Sequence, residues 1–236
     1  MPIFQLSQDL IFPDPELSEE DGLLAIGGDL SPERLILAYS QGIFPWFNEG
    51  DPILWWSLNP RLILFPDEFK CSASLLRKIK SHQFEVKFDT NFEAVIKNCS
   101  YIERKDQEYG SWITQDMITA YTKLHHLGFA HSVETYYNGQ LVGGLYGIII
   151  GKVFVGESMF HNMTDASKFA LYHLVETVKK QNFHFIDAQQ PTAHLISMGA
   201  REINRKQYLI LLKNAVKARR NSVNINPLNI FSDENN

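Results

Sequence analysis

Apolar residues recur along the chain with helical or two-residue spacing, and the pattern changes character near residue 60. In "SPERLILAYSQG", Ser31 can cap a helix with Pro32 at its first position and Glu33 just inside. Leu35, Ile36, Ala38 and Tyr39 continue it, and Gly42 stops it. "RLILF" (61–65), bounded by Pro60 and Pro66, reads as a strand. A helix is expected over 67–80, a strand at "FEVKF" (84–88), and helices over 91–99 and 114–127. Three strands come next in succession, "AHSVETYYNG", "QLVGGLYGIIIG" and "KVFVGESMF", with Asn138-Gly139 as a hairpin turn. Thr164 or Asp165 opens a helix to Lys180, with Ala166, Ala170, Leu174 and Val178 at helical spacing. "FHFID" is the next strand, and a last helix runs over 205–218 before a polar tail.

This order predicts an α/β (α+β) protein. A small N-terminal domain (1–60), rich in Pro, Gly and Trp, precedes a catalytic domain (61–220), and 221–236 is a tail. The meander, helix and further strand are similar in order to GNAT-type acyltransferases, so the second domain is expected to hold a mixed, largely antiparallel sheet flanked by helices. Fold likeness alone does not give the chemistry.

Composition narrows the class. The 236 residues, 44% hydrophobic and 21% charged, suit a folded protein with a substantial core. Cys71 and Cys99 form no CxxC, which argues against a disulfide scaffold. The N-terminus lacks a basic signal-peptide region, and the apolar stretch 141–151 is too short to span a bilayer, so a cytoplasmic location is expected. Charge is distributed unevenly. Residues 1–60 hold ten acids and one base, whereas 201–220 hold seven bases and one acid. With the cluster Arg77, Lys78 and Lys80, this admits a polyanionic partner despite a net charge of −5.

Several chemistries lack their motifs. There is no P-loop, GxGxxG, GxSxG or HExxH, and the histidines form no metal pattern. Neither Gln107-x-x-Gly110 nor Gln140-x-x-Gly143 completes the pyrophosphate loop of a CoA-dependent acetyltransferase. Where "FHFID" ends, Asp187 and Gln189 stand two apart, on one face of a regular strand, just before Pro191. From these residues alone, a catalytic pair and a turn cap beside a surface amide both remain open. An N-acetyltransferase, an adaptor for protein N-termini and a general RNA-binding protein remain as alternative functions.

Taken together, "GLLAIGGDLSPERLILAYSQGIFPWF", "DPILWWSLNPR", "SWIT", "AHSVE", "LVGGLYG", "GESMFH", "DASKFAL", "IDAQ", "HLISMGA" and "REINRKQYL" resemble, in order and spacing, the leucyl/phenylalanyl-tRNA–protein transferases. The likeness covers nearly all of residues 4–213. It implies transfer of Leu or Phe, and Met less readily, from aminoacyl-tRNA to the α-amino group of proteins beginning with Arg or Lys, marking them for N-end rule degradation. It implies no cofactor, no metal and no membrane, and a monomer is expected. The resemblance assigns catalysis to Asp187 and Gln189, with Asp187 accepting from the Gln189 amide. Glu157 would bind the acceptor peptide, at the end of the "VFV" strand; a salt bridge to Lys168 is the competing reading. Trp46, Trp112, Leu145, Phe154, Leu171, Leu174 and Ile186 would form the aminoacyl pocket and hold the 3′-adenosine. Arg77, Lys78 and Lys80 would contact the tRNA backbone.

Overall fold

Two sheets carry the chain in the computed structural model, which describes residues 3–101 and 112–221. The tail expected beyond the last helix lies outside the described residues from 222 onward. The first sheet is built from β1 (Phe4–Leu6), β2 (Leu23–Gly27), β3 (Phe44–Pro45) and β4 (Leu54–Trp56), in the order β1-β2-β4-β3. Between β2 and β3 lies α1 (Pro32–Ser40), whose cap is the one its sequence predicts: the Ser31 hydroxyl accepts from the Arg34 amide. These strands of two to five residues are too short to show a period, so the Trp-rich stretch discloses an apolar knot but not a sheet.

The second sheet begins at β5 (Arg61–Leu64). After it come α2 (Ala73–Lys80), β6 (Glu85–Phe88), α3 (Phe92–Ser100) and α4 (Gln115–His126). The meander β7 (Ala130–Tyr137), β8 (Gln140–Ile150) and β9 (Val153–His161) leads to α5 (Ala166–Lys180). The chain continues through β10 (Phe185–Gln189), α6 (Ala193–Ser197), β11 (Arg201–Ile203) and α7 (Arg205–Asn221). Strand order is β11-β5-β10-β9-β8-β7-β6. Within this sheet only β9 and β10 pair in parallel, so it is mixed and largely antiparallel. The helix expected from residue 67 starts only at Ala73: Pro66 opens a separate 3-10 turn, and the Ser72 hydroxyl then caps α2. The short α6 and β11 are additions to the expected order. Among the described residues, no helix is long and apolar enough to cross a membrane.

The strand period sorts the core into two layers. Val153, Val155 and Phe185 face one layer, with Leu35, Val95, Leu124 and Leu212 from α1, α3, α4 and α7 and with Leu24 and Trp55 of the first sheet. Phe154 and Ile186 face the other, covered by Leu75 of α2 and Leu171, Leu174 and Val178 of α5.

The sheet is irregular at one place near its middle. The β9–β10 pairing stops at Val155 and Asp187, although β9 continues to His161. Just past that point both strands are bulged. Glu157 is the extra residue in β9 opposite β8, where Tyr146 pairs Ser158 and Gly147 pairs Gly156. Ala188 is the extra residue in β10 opposite β5. Glycine is required at 147, because a Cβ there would lie 2.2 Å from the Val155 carbonyl oxygen.

Candidate active site

Two carboxylates, Asp187 and Glu157, meet where β10 and β9 part, and their surroundings are opposite in kind. Asp187 is fully buried. Its Oδ1 accepts from Arg61 Nε at 2.9 Å and from the Gln189 backbone amide at 3.0 Å. Its Oδ2 accepts from Arg61 Nη2 and from the Tyr208 hydroxyl, each at 2.7 Å. Arg61, the first residue of β5, is as buried as its partner, and its guanidinium lies between the rings of Phe44 and Tyr208, 4.8 and 4.6 Å from their centroids. Burial works against the Arg61 charge, but the adjoining carboxylate outweighs it and holds the guanidinium above its ordinary range.

Glu157 has only neutral donors among the described residues. Tyr39 of α1 donates to its Oε1 at 2.8 Å, Tyr121 of α4 to its Oε2 at 3.2 Å, and the Gln189 amide nitrogen to Oε1 at 2.9 Å. Tyr39 and Tyr121 also bond to each other. Burial raises Glu157 to about 7, against the three hydrogen bonds that favour its ionised form; the charge of Asp187 adds to the rise. Burial, and then the nearby carboxylate, likewise keeps Tyr39 and Tyr121 well above the ordinary tyrosine value. Two neighbouring carboxyls thus differ: one is locked to a cation, the other has none and titrates near neutrality.

The family matches span all of these residues except Arg61. The family described as leucyl/phenylalanyl-tRNA protein transferase matches residues 63–213, and its N-terminal domain matches residues 28–59. The chain belongs to the leucyl/phenylalanyl-tRNA protein transferase family. A transferase of that name from Syntrophobacter fumaroxidans is 57% identical over 212 residues, covering 90% of each chain. Another, from Thermodesulfovibrio yellowstonii, is 57% identical over 217 residues, covering 92% of this chain and 88% of its own. Among solved structures, L-PGS from Bacillus licheniformis is similar at 11% identity with a TM-score of 0.43, covering 83% of this chain and 71% of that one.

Within this transferase chain, three of the site residues named from sequence converge. Asp187, Gln189 and Glu157 meet in one place, but their pairing differs from the expected one. The Gln189 side chain donates to Glu157, and only its backbone amide reaches Asp187. The two-residue period fails here because Ala188 is bulged and Gln189 takes a left-handed φ of 59°. Glu157 lies within β9, on a bulge, rather than at a sheet end. Lys168 pairs with Asp165 at 2.8 Å, so the alternative partner for Glu157 is engaged elsewhere.

The pocket set divides between the two layers. Leu145, Phe154, Leu171, Leu174 and Ile186 gather in the α2/α5 layer, all buried. Trp112 belongs to the opposite layer, against which the half-buried Trp46 packs. Trp46 and Trp56 sit 5.5 Å apart, and the Trp56 indole donates to the Trp46 carbonyl. On α2, Arg77 and Lys80 are exposed, while Lys78 donates to the Thr164 carbonyl at 2.6 Å and lies near Asp165.

Sequence reasoning missed Arg61, Tyr208, Tyr39 and Tyr121. Each comes from a different element, so no local spacing links them. The one available signal was an arginine in a strand otherwise made of Leu and Ile, since a buried charge demands a partner.

Proposed function

We propose that this chain transfers Leu or Phe, and Met less readily, from aminoacyl-tRNA to the α-amino group of proteins beginning with Arg or Lys, marking them for N-end rule degradation. The observation that carries the site assignment is Glu157, a buried carboxylate surrounded by hydrogen-bond donors but lacking a cation among the described residues. A cationic N-terminal residue supplies that charge, and the resulting ion pair is strong because it forms away from water.

Chemically, the acceptor amine attacks the ester carbonyl of the aminoacyl-tRNA. A C–N bond forms, the ester C–O bond breaks, and the ribose oxygen leaves with a proton. The ester is already activated, so holding amine and carbonyl together supplies much of the acceleration, and no cofactor or metal is needed. Gln189, fixed through its NH2 to Glu157, keeps its carbonyl oxygen free to accept a hydrogen from the amine. The apolar group of Leu145, Phe154, Leu171, Leu174 and Ile186 takes the aminoacyl side chain. Trp46 and Trp112 offer a separate aromatic surface to the terminal adenine, and Arg77, Lys78 and Lys80 meet tRNA phosphates. Residues 1–60 act as a small domain beside the catalytic one, in a cytoplasmic monomer.

The test is transfer of radiolabelled Leu from Leu-tRNA to a peptide beginning with Arg, against one beginning with Ala. Label on the Arg peptide alone is expected. No label from Leu-, Phe- or Met-tRNA with folded protein overturns the reading.

A further inference from the structure

Asp187 has no room for a substrate. A carboxylate offers about four lone-pair positions. Arg61 fills two, Tyr208 a third and the Gln189 amide the fourth, and the group is fully buried. A residue whose acceptor positions are all taken by protein donors cannot also receive the attacking amine. Its contacts point to a different task. The bond from the Gln189 N–H to Asp187 Oδ1 closes an i, i+2 turn across Ala188. Gln189 there adopts a positive φ that a non-glycine residue holds only when its surroundings impose it. That turn swings the Gln189 side chain across the opening between β9 and β10, onto Glu157.

We propose that Arg61 and Tyr208 are positioning residues that clamp Asp187, which in turn holds the backbone turn aiming the Gln189 amide at Glu157. The inference rests on the reading of Glu157 and Gln189 as the amine-handling pair, and extends the machinery to β5 and α7. Arg61 suits the task because its planar fork meets both carboxylate oxygens at once, and a lysine cannot. Two aromatic rings hold that plane, and Nη1 donates at 3.5 Å to the Gly42 carbonyl. Tyr208 completes the clamp from α7 and also contacts Arg61.

The test compares Leu transfer to the Arg peptide by the full chain and four variants: Arg61→Lys, Tyr208→Phe, Arg61→Met, and Arg61→Met combined with Asp187→Asn. Arg61→Lys should lower kcat about 10- to 100-fold with little change in KM for the peptide, as expected for misplaced rather than lost groups. Tyr208→Phe should lower it about threefold to tenfold in the same way. Arg61→Met alone should be nearly inactive, because it leaves a buried carboxylate unpaired. The double variant should regain at least about tenfold over Arg61→Met, since the asparagine side-chain oxygen still accepts from the Gln189 amide with no charge left over. Rates are normalised to the folded fraction read by circular dichroism, so a purely structural role, which lowers only that fraction, would leave the normalised kcat at the wild-type value.

Wild-type kcat in folded Arg61→Lys and Tyr208→Phe overturns the inference. So does a folded double variant as inactive as Arg61→Met, which would return the chemistry to the Asp187 carboxylate itself. If the single Met variant fails to fold, the Lys and Phe variants still decide. The wild-type control separates the two readings, because absence of wild-type transfer refutes the function, not the clamp.

Discussion

Glu157 is a carboxyl held at about 7 in the folded chain, and that value has two consequences of opposite sign. For acceptor binding, the ionised form is the useful one, so kcat/KM for the Arg peptide should climb with pH through about 7, with a further rise to a plateau as the peptide's own α-amine loses its proton at about 8. Glu157→Gln should remove the first rise and lower the plateau about 100-fold, as measured with peptide limiting. For stability the sign reverses. The folded state keeps this proton up to about 7, while the unfolded carboxyl releases it from 4.5 upward. The contribution is therefore full at acid pH and lost as pH rises through the folded value. Urea midpoints should show Glu157→Gln gaining on the wild type between pH 4.5 and 7; a constant difference across that window would mean that the fold does not hold the proton. At this scale the sequence was legible in part. Asp187, Gln189 and Glu157 were singled out and come together in the structure, but their partners were not foreseen, because a bulge rotates side chains that a regular strand would align. Tyr39, Tyr121 and Tyr208 arrive from distant elements and leave no local trace, whereas Arg61 leaves one, a charge in a strand otherwise made of Leu and Ile.

The elements were easier to read than the residues. Capped helices such as α1, the β7–β9 meander with its Asn138-Gly139 turn, and α5 all follow from period and turn chemistry. The first sheet did not, because its strands are too short to establish a period and its aromatic residues suit a wall as well as a strand. The glycine that ends "LVGGLYG" gains a physical meaning only in three dimensions, where Gly147 opposes Gly156 beside the Glu157 bulge and leaves space for the Val155 carbonyl and the Phe154 ring. On the other face, α5 presents Leu171 and Leu174 to the sheet. Leu174→Ala should cost about 2–5 kcal/mol of stability by leaving a cavity. If this layer takes the aminoacyl side chain, the same change should move the choice between Phe- and Leu-tRNA toward Phe by about tenfold. Competition between the two charged tRNAs reads the second effect, and denaturant unfolding the first. Lost stability with an unmoved ratio would make Leu174 core only.

Across the whole molecule, acids concentrate in the first 60 residues and bases on α2 and α7, so an overall charge of −5 conceals an electrostatic polarity. Arg77 and Lys80 are exposed on α2 and free to meet phosphate, whereas Lys78 is held by Thr164 and Asp165. Arg77→Ala and Lys80→Ala should each weaken tRNA binding and flatten the log–log salt dependence by about one ion, as titrations at several salt concentrations would show. Lys78→Ala should change the slope less. If all three leave the slope intact, the acceptor stem lies elsewhere.

The apolar layer that joins the first sheet to the second is continuous, with Leu24 and Trp55 packed in the same core as Tyr146 and Phe185. Heat should therefore meet a single cooperative unit. A scanning calorimeter should record one endotherm whose calorimetric and van't Hoff enthalpies agree, despite the change of sheet near residue 60. The same continuity limits how the chain can be divided. Residues 61–236 expressed alone would expose an oily face and lose both Tyr39 and the Gly42 carbonyl, so supplying the first 60 residues as a separate fragment should restore solubility and transfer together.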